Sequence, residues 1–276
     1  MAINHKEVSG GVSAEEAAKY ATGIGLVNDF VNSLKRKGLL PEQFSESEVS
    51  SVVSPASKTP TAVEAQFADL ISPAITEYKK GPLSPELVTK TFQTIWQERG
   101  KLIGVKFEVS PCPFTREELV SLEEKGLRLG YLPKTLATQE SRHVLGEMFP
   151  KKQSRSVQKG NAATNDYNPD GWFDYEMSIS APYLGTTEKQ LMKKLGQAKR
   201  QLLNENQYII ASQDSKLFAG EYLDEGSTWA RVGSRRGGAL ISSNFGSIGD
   251  LRVNWGLSPR DSSPSLGGRS SGVNRA

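Results

Sequence analysis

The spacing of apolar residues predicts that the first half of the chain is mainly helical. Ser13 and Glu16 form a capping box, and an apolar stripe with helical spacing follows from Tyr20 to Leu34. The same spacing, together with helix-starting residues, predicts three further helices: one beginning at Thr59–Pro60, one running from Ser84–Pro85 to Gly100, and one over about Thr138 to Met148.

A short strand–helix–strand unit interrupts this helical half. Apolar and polar residues alternate over Val105–Val109, which is typical of a strand with one buried face. Thr115 and Glu118 form a second capping box, which predicts a short helix ending near Gly126. Leu127–Leu132 is predicted to be the second strand. If the two strands are parallel neighbours, their connection is a right-handed crossover.

The second half of the chain follows a different pattern. Thr186 or Thr187 is placed to cap a helix that continues to Leu203. Short turns rich in Gly, Ser, Asn and Asp favour antiparallel connections between the neighbouring strands. Six strands are predicted: Trp172–Tyr183, Tyr208–Ala211, Leu217–Tyr222, Thr228–Val232, Ala239–Phe245 and Leu251–Trp255.

These patterns predict an α+β fold, in which a helical N-terminal half with a small strand–helix–strand unit precedes a mostly antiparallel sheet carrying one helix. Lys151 to Gly171 is polar and too long for a tight connection, which predicts a domain linker or a mobile flap. The predicted organisation is therefore a mainly helical region at 1–150, a linker or flap at 151–171, a sheet with one helix at 172–257, and a flexible Ser/Gly/Arg tail at 258–276.

Composition is that of an ordinary soluble globular protein. Of the 276 residues, 37% are apolar and 24% are charged. Cys112 is the single cysteine, which excludes an intrachain disulfide and argues against a cysteine-based metal site. Met1–Gly11 is polar and lacks the apolar core of a signal peptide, and no window approaches the roughly 20 apolar residues of a membrane span. We therefore expect a cytoplasmic protein with no membrane partner.

Charge is distributed unevenly along the chain. The 51 residues from Gly226 to Ala276 contain seven arginines, no lysine and no glutamate, and their two acids are Asp250 and Asp261, so the segment carries +5 (seven minus two). The 225 residues before it hold 27 basic and 29 acidic side chains, a balance of −2. Because guanidinium groups bind carboxylates and phosphates bidentately, this segment is the main functional signal of the sequence.

Strand alternation predicts which of these residues share a face. It places Trp229 and Arg231 on one side of their strand, and it separates Arg252 from the core-facing Trp255. Arg235 and Arg236 are predicted at a hairpin tip. Arginine and tryptophan on one face could stack bases of a single-stranded nucleic acid, or bind an acidic protein surface. The candidate partner-binding residues are Trp229, Arg231, Arg235, Arg236 and Arg252.

Other residue types offer alternative chemistry. Asp174 and Glu176 alternate on one strand, and Glu221 and Asp224 follow in the sequence; paired carboxylates could serve acid/base catalysis. His143 has Glu140 and Glu147 on the same helical face, a pattern more typical of a surface histidine than of a metal ligand. Cys112 lies between two prolines just before a capped helix. The stiff turn that the prolines indicate favours a buried thiol over a nucleophile. Phosphate-loop and dinucleotide motifs are absent, so no cofactor is predicted.

The leading functional hypothesis is a non-enzymatic protein that binds an anionic partner, nucleic acid or acidic protein, through the Arg/Trp face of its C-terminal sheet. A carboxylate-based hydrolase acting on a sugar or phosphoester is the second hypothesis, and a structural or assembly protein is the third. The sequence does not determine the oligomeric state.

Overall fold

A computed structural model describes residues 62–149 and 154–275. Contacts between residues divide the chain into two units, 1–64 and 65–276, and almost all of the first unit lies outside the described residues. The helix predicted to follow Ser13, the helix start at Thr59–Pro60 and the beginning of the predicted linker at Lys151 also lie outside them.

The described residues contain six α-helices, and several begin where capping residues predict. Ser84 accepts a hydrogen bond from the Leu87 amide at 3.2 Å, and Thr115 forms a complete capping box with Glu118. Thr187 caps the fifth helix in the same way, but this helix ends well before Leu203. The helices are α1 (Ala62–Lys80), α2 (Pro85–Ile103), α3 (Arg116–Glu124), α4 (Arg142–Met148), α5 (Glu188–Ala198) and α6 (Glu205–Ala219).

Ten short strands form three sheets in the described part of the chain. The strands are β1 (Leu127–Leu132), β2 (Thr164–Asn165), β3 (Gly171–Glu176), β4 (Gln201–Leu202), β5 (Trp229–Arg236), β6 (Ala239–Phe245), β7 (Leu251–Asn254), β8 (Leu266–Gly268), β9 (Ser270–Ser271) and β10 (Asn274–Arg275). The sheet orders are β1-β3-β10, β2-β5-β6-β7 with β8 also on β5, and β4-β9. All pairs are antiparallel except β5 with β8. The predicted α+β class is confirmed.

Aromatic residues connect the helices to the sheet in the core. Trp172 on β3 is fully buried and meets Phe92 of α2 and Tyr131 of β1 in edge-to-face contacts, with ring centroids 5.1 and 5.0 Å apart. Such contacts add about 0.5–1.5 kcal/mol each to the burial of the rings. Helix α2 and the strands β1 and β3 therefore share one core.

Two of the predicted strands are wrong: Tyr208–Ala211 lies within helix α6, and Leu217–Tyr222 begins with the last three residues of that helix. Asn204 caps this helix through a capping box with Gln207, and Gly220 ends it in the left-handed conformation at φ 85°. The residues Tyr208 to Ala211 are all fully buried, since the first two turns of α6 are enclosed on every side. A continuous apolar run of this length has no helical periodicity, so it cannot be distinguished from a buried strand by pattern alone.

The predicted strand–helix–strand unit has its helix and its second strand but lacks the first strand, so the conditional crossover does not arise. Phe107 and Val109 are buried as alternation predicts, but Val105 is 45% exposed, and the segment pairs with no described strand. β1 instead pairs antiparallel with β3, from Leu127 opposite Glu176 to Leu132 opposite Gly171. Local alternation reports which side chains are buried, whereas strand pairing depends on a distant segment.

The predicted linker at 151–171 does not separate two domains, because residues 65–276 form one compact unit. Its Asn161 and Asn165 accept hydrogen bonds from the buried guanidinium of Arg142, which also pairs with Glu205 at 2.6 Å. β2, within the same segment, pairs with β5. The polar composition that suggested a linker instead supplies the acceptors that a buried arginine requires.

The predicted flexible tail is wrong for residues Leu266–Arg275, here called the C-terminal clasp. This segment adds one strand to each of the three sheets: β8 to β5, β9 to β4 and β10 to β3. Its glycines allow close approach of the backbone, because a Cβ atom on Gly267 would lie 2.1 Å from the Pro182 carbonyl oxygen, and one on Gly268 would lie 2.7 Å from Leu191. Glycine here permits packing, not flexibility.

Arg269 holds the middle of the clasp. Its guanidinium is fully buried and bonds both carboxylate oxygens of Asp224 at 3.1 Å. It also donates to three backbone carbonyl groups: those of Glu176, Ser178 and Ile179. Tyr208 and Thr228 donate to the same carboxylate, so the buried charges are compensated on both sides.

Candidate binding surface

The predicted binding residues lie on the sheet formed by β5, β6 and β7. β5 and β6 form a hairpin whose turn residues, Gly237 and Gly238, have φ angles of 60° and 86°. In the register across the sheet, Arg231 lies between Gly268 and Ser242, and Ser242 faces Asn254. Trp229 and Arg231 share a face, as the sequence predicts, and the register places Arg252 on that face too.

Arg231 is enclosed by neighbouring segments. Its side chain is almost fully buried, and its guanidinium donates to the carbonyl oxygens of Thr186 at 2.7 Å and Asp261 at 2.6 Å. Burial lowers the pKa of Arg231, and the charges of Glu188 and Asp261 oppose this shift. The hydrogen bonds join β5 to two loops, so Arg231 has a structural role and does not present its charge to solvent.

Arg235 is partly exposed but is already paired. Its guanidinium bonds Asp166 at 2.9 Å and Glu188 at 2.8 Å, and it donates to the Gly238 carbonyl oxygen within the hairpin turn. Partial burial alone would lower the pKa of Arg235, but the hydrogen bond to Glu188 and the charge of Asp166 raise it. Two carboxylates therefore neutralise this cation.

Arg236 and Trp255 form a stacked pair on the other side of the sheet. The Cζ atom of Arg236 lies 4.1 Å from the centroid of the Trp255 ring, within the range of a cation–π contact. Arg236 is exposed, while Trp255 is half-buried and packs against the core. The indole thus fixes the position of a guanidinium that has no ion pair among the described residues.

Arg252 is the second exposed arginine of this sheet. Its side chain is 54% exposed and pairs with Asp250 at 2.8 Å. Both side chains lie against Gly246, where a Cβ atom would be 1.9 Å from an Asp250 oxygen and 2.8 Å from an Arg252 nitrogen. Trp229 is half-buried near the start of β5. Sequence reasoning did not single out Gly246, and the close approach that requires it is visible only in three dimensions.

The five predicted residues therefore do not form one patch. Arg231 is buried, Arg235 is neutralised and Trp229 is half-buried. Arg252 and Arg236 remain exposed to solvent on β7 and at the end of β5, and the positions of both arginines are restrained by neighbouring residues. We call these two side chains, together with Trp255, the cationic surface, which spans both faces of the sheet: Arg252 projects from one face, and Arg236 and Trp255 lie on the other.

The structure brings together two of the four carboxylates that the hydrolase hypothesis names. Asp174 and Glu176 line a cleft of about 540 Å³, where both contact Arg200, at 2.7 and 3.4 Å. Asp174 Oδ1 accepts hydrogen bonds from the Gly272 and Val273 amides, and both oxygens of Glu176 accept from Ser270. Three of the four carboxylate oxygens thus accept hydrogen bonds from the C-terminal clasp and hold it against β3, while Asp174 Oδ2 has only its ion pair with Arg200.

The remaining acids and the other candidate groups lie elsewhere. Asp224 is buried with Arg269, and Glu221 is exposed. The Nδ1 atom of His143 lies 2.8 Å from the Glu140 carbonyl oxygen, and no group of three or more potential ligands in residues 62–149 and 154–275 could hold a metal ion. Cys112 is buried, and burial raises its pKa, which disfavours the thiolate.

The chain matches no protein-family model, no curated protein and no solved structure. None of the helices in the described part of the chain has the length and apolarity needed to cross a membrane.

Proposed function

We propose that this chain is a non-enzymatic binding protein whose cationic surface contacts an anionic macromolecule. The observation that supports the proposal most strongly is the Arg236–Trp255 stack, because it keeps an exposed guanidinium in a fixed position without a neutralising acid in the described residues. A guanidinium whose position is already restrained loses less conformational entropy when it binds a carboxylate or phosphate.

Arg252 supports the same proposal. More than half of its side chain is exposed, and its ion pair with Asp250 joins Nε to Asp250 Oδ2 at 2.8 Å. The terminal nitrogens of the guanidinium could therefore donate to an incoming anion. A carboxylate hydrolase is less well supported, because Asp174 and Glu176 have all their oxygens engaged with Arg200 and the C-terminal clasp.

Binding to labelled polyglutamate and to labelled oligothymidylate, measured by fluorescence anisotropy at low and high salt, tests this proposal. We expect at least one of these polyanions to bind, with an affinity that falls steeply as salt increases. The double variant Arg236→Ala/Arg252→Ala should weaken binding about tenfold, since each exposed charge contact contributes up to about 1 kcal/mol.

The matched control is Arg116→Ala/Lys134→Ala, which removes the same charge from exposed positions on α3 and in the turn after β1. It should bind as the wild type does. Equal weakening by both double variants would mean that net charge alone attracts the polyanion, and salt-independent binding would contradict the proposal.

A further inference from the structure

The strand β7 has one unpaired edge. It is the last strand in the order β2-β5-β6-β7, and no strand in the described part of the chain pairs with its other side. An edge strand carries main-chain N–H and C=O groups that can pair with an added strand. The edge of β7 is therefore a possible docking site for an extended segment.

The other long edge strand of the described sheets is less accessible than β7. β1 has six residues, but Leu129 to Leu132 are buried, and α6 contacts this strand. In β7, by contrast, Arg252 and Asn254 are exposed and Val253 is half-buried. β7 thus combines an unpaired edge with side chains that a partner can reach.

The side chains of β7 indicate which segment fits beside it. Arg252 points to one face of the sheet, and Val253 points to the other, in line with Trp255 and its stacked Arg236. A neighbouring strand is stabilised by opposite charges and by apolar contacts across the pair. An acidic residue beside Arg252 and an apolar residue beside Val253 meet both requirements.

The same observations disfavour two other occupants. A second copy of β7 paired antiparallel in the register centred on Arg252 would place two like charges directly opposite each other, which is unfavourable across a strand pair. A single-stranded nucleic acid needs open aromatic faces for base stacking, but Arg236 covers one face of Trp255, whose ring also packs against the core. Main-chain pairing also has no counterpart in nucleic acid.

We propose that an extended protein segment with alternating acidic and apolar residues binds by adding a strand to the edge of β7. This inference rests on the proposed function and names the partner and its binding mode. It predicts that recognition uses both main-chain hydrogen bonds and the charge of Arg252, whereas a purely electrostatic contact uses only the charge.

A display library of random dodecapeptides, selected on the full chain, tests the proposal. We expect enriched peptides to alternate acidic with apolar residues, and to be lost when selection is repeated on Arg252→Glu but retained on the matched exposed control Arg116→Glu. The best peptide is then synthesised with N-methyl groups on alternate amides. Methylation of the amides that face β7 should weaken binding about tenfold or more, because several main-chain hydrogen bonds are lost.

Each of the other outcomes contradicts strand addition in a distinct way. If the methylated peptide bound with the same affinity as the unmethylated peptide, main-chain pairing would be excluded, although binding through the cationic surface would still stand. Tighter binding of oligothymidylate than of the best peptide would identify a nucleic acid partner, and concentration-dependent dimers abolished by Val253→Pro would identify a second copy. No enrichment on the wild type over Arg252→Glu would overturn the inference, while polyglutamate binding would still support the proposed function.

Discussion

The buried pair of Arg269 and Asp224 should be the most sensitive point of the C-terminal clasp. Replacing Arg269 with methionine removes five hydrogen bonds and leaves the Asp224 carboxylate, which is fully buried, without its cation. Removing one member of a buried pair costs about 3–5 kcal/mol. Because domains of this size have a free energy of unfolding of about 5–15 kcal/mol, the variant loses a large part of its stability.

Removing both charges should cost less than the two single changes suggest. Asparagine is the suitable replacement for Asp224, because this residue has a φ of 59° and asparagine tolerates the left-handed conformation. We expect the Arg269→Met/Asp224→Asn variant to lose about 2 kcal/mol less free energy of unfolding than the sum of the single variants. The reason is that the double variant leaves no uncompensated buried charge, whereas Arg269→Met and Asp224→Asn each leave one. Lysine at position 269 should not restore stability, because it cannot form the bidentate contact.

Urea denaturation followed by tryptophan fluorescence measures these differences, and the buried Trp96 and Trp172 report on unfolding of the core. The control is Arg116→Met on the exposed face of α3, which should change stability by less than about 0.5 kcal/mol. A loss below about 1 kcal/mol for Arg269→Met, at an unchanged denaturant dependence, would refute the reasoning. Additive single and double variants would show that the two residues are not coupled.

Two further predictions concern packing and pH. Gly267→Ala should destabilise the protein by about 1–3 kcal/mol, because its Cβ would clash with the Pro182 carbonyl oxygen, whereas Gly196→Ala in α5, where nothing lies within 4 Å, should be neutral or stabilising in thermal melts. Burial raises the pKa of Asp214 above its ordinary value of 3.8, although Arg99 opposes the shift. A raised native pKa means that the stability contributed by the protonated group is present at low pH and is lost as pH rises. The wild type should therefore lose stability relative to Asp214→Asn as pH rises above 3.8; a constant difference would contradict this.

Local signals in the sequence were enough to locate several elements. The capping residues Ser84, Thr115 and Thr187 start helices as predicted, because a cap satisfies backbone amides within its own first turn. The predicted strand Ala239–Phe245 is β6 with the same bounds, because the short turns on either side mark where it begins and ends. These interactions connect residues that are close in the chain, so the α+β class follows from the sequence.

For the candidate surface, the sequence predicted the residue types and the sheet that carries them, but not which side chains are exposed. The sequence could not show that the Thr186 and Asp261 carbonyls enclose Arg231, or that Asp166 and Glu188 neutralise Arg235, since these partners lie 30 to 69 residues away. Arg236 and Arg252 remain exposed because no such partner encloses them. Which arginine is available is therefore a tertiary property.

The sequence by itself determined where helices are capped, which residues alternate on the hairpin strands, and that the arginines concentrate near the C-terminus. Only the tertiary structure decided that Tyr208–Ala211 is helical, that Leu266–Arg275 joins three sheets, and that Arg269 is buried against Asp224. The physical reason is that burial and strand pairing compensate charges and backbone groups with partners from distant segments. A flexible tail and a buried clasp can have the same glycine- and serine-rich composition, and only the partners from distant segments distinguish them.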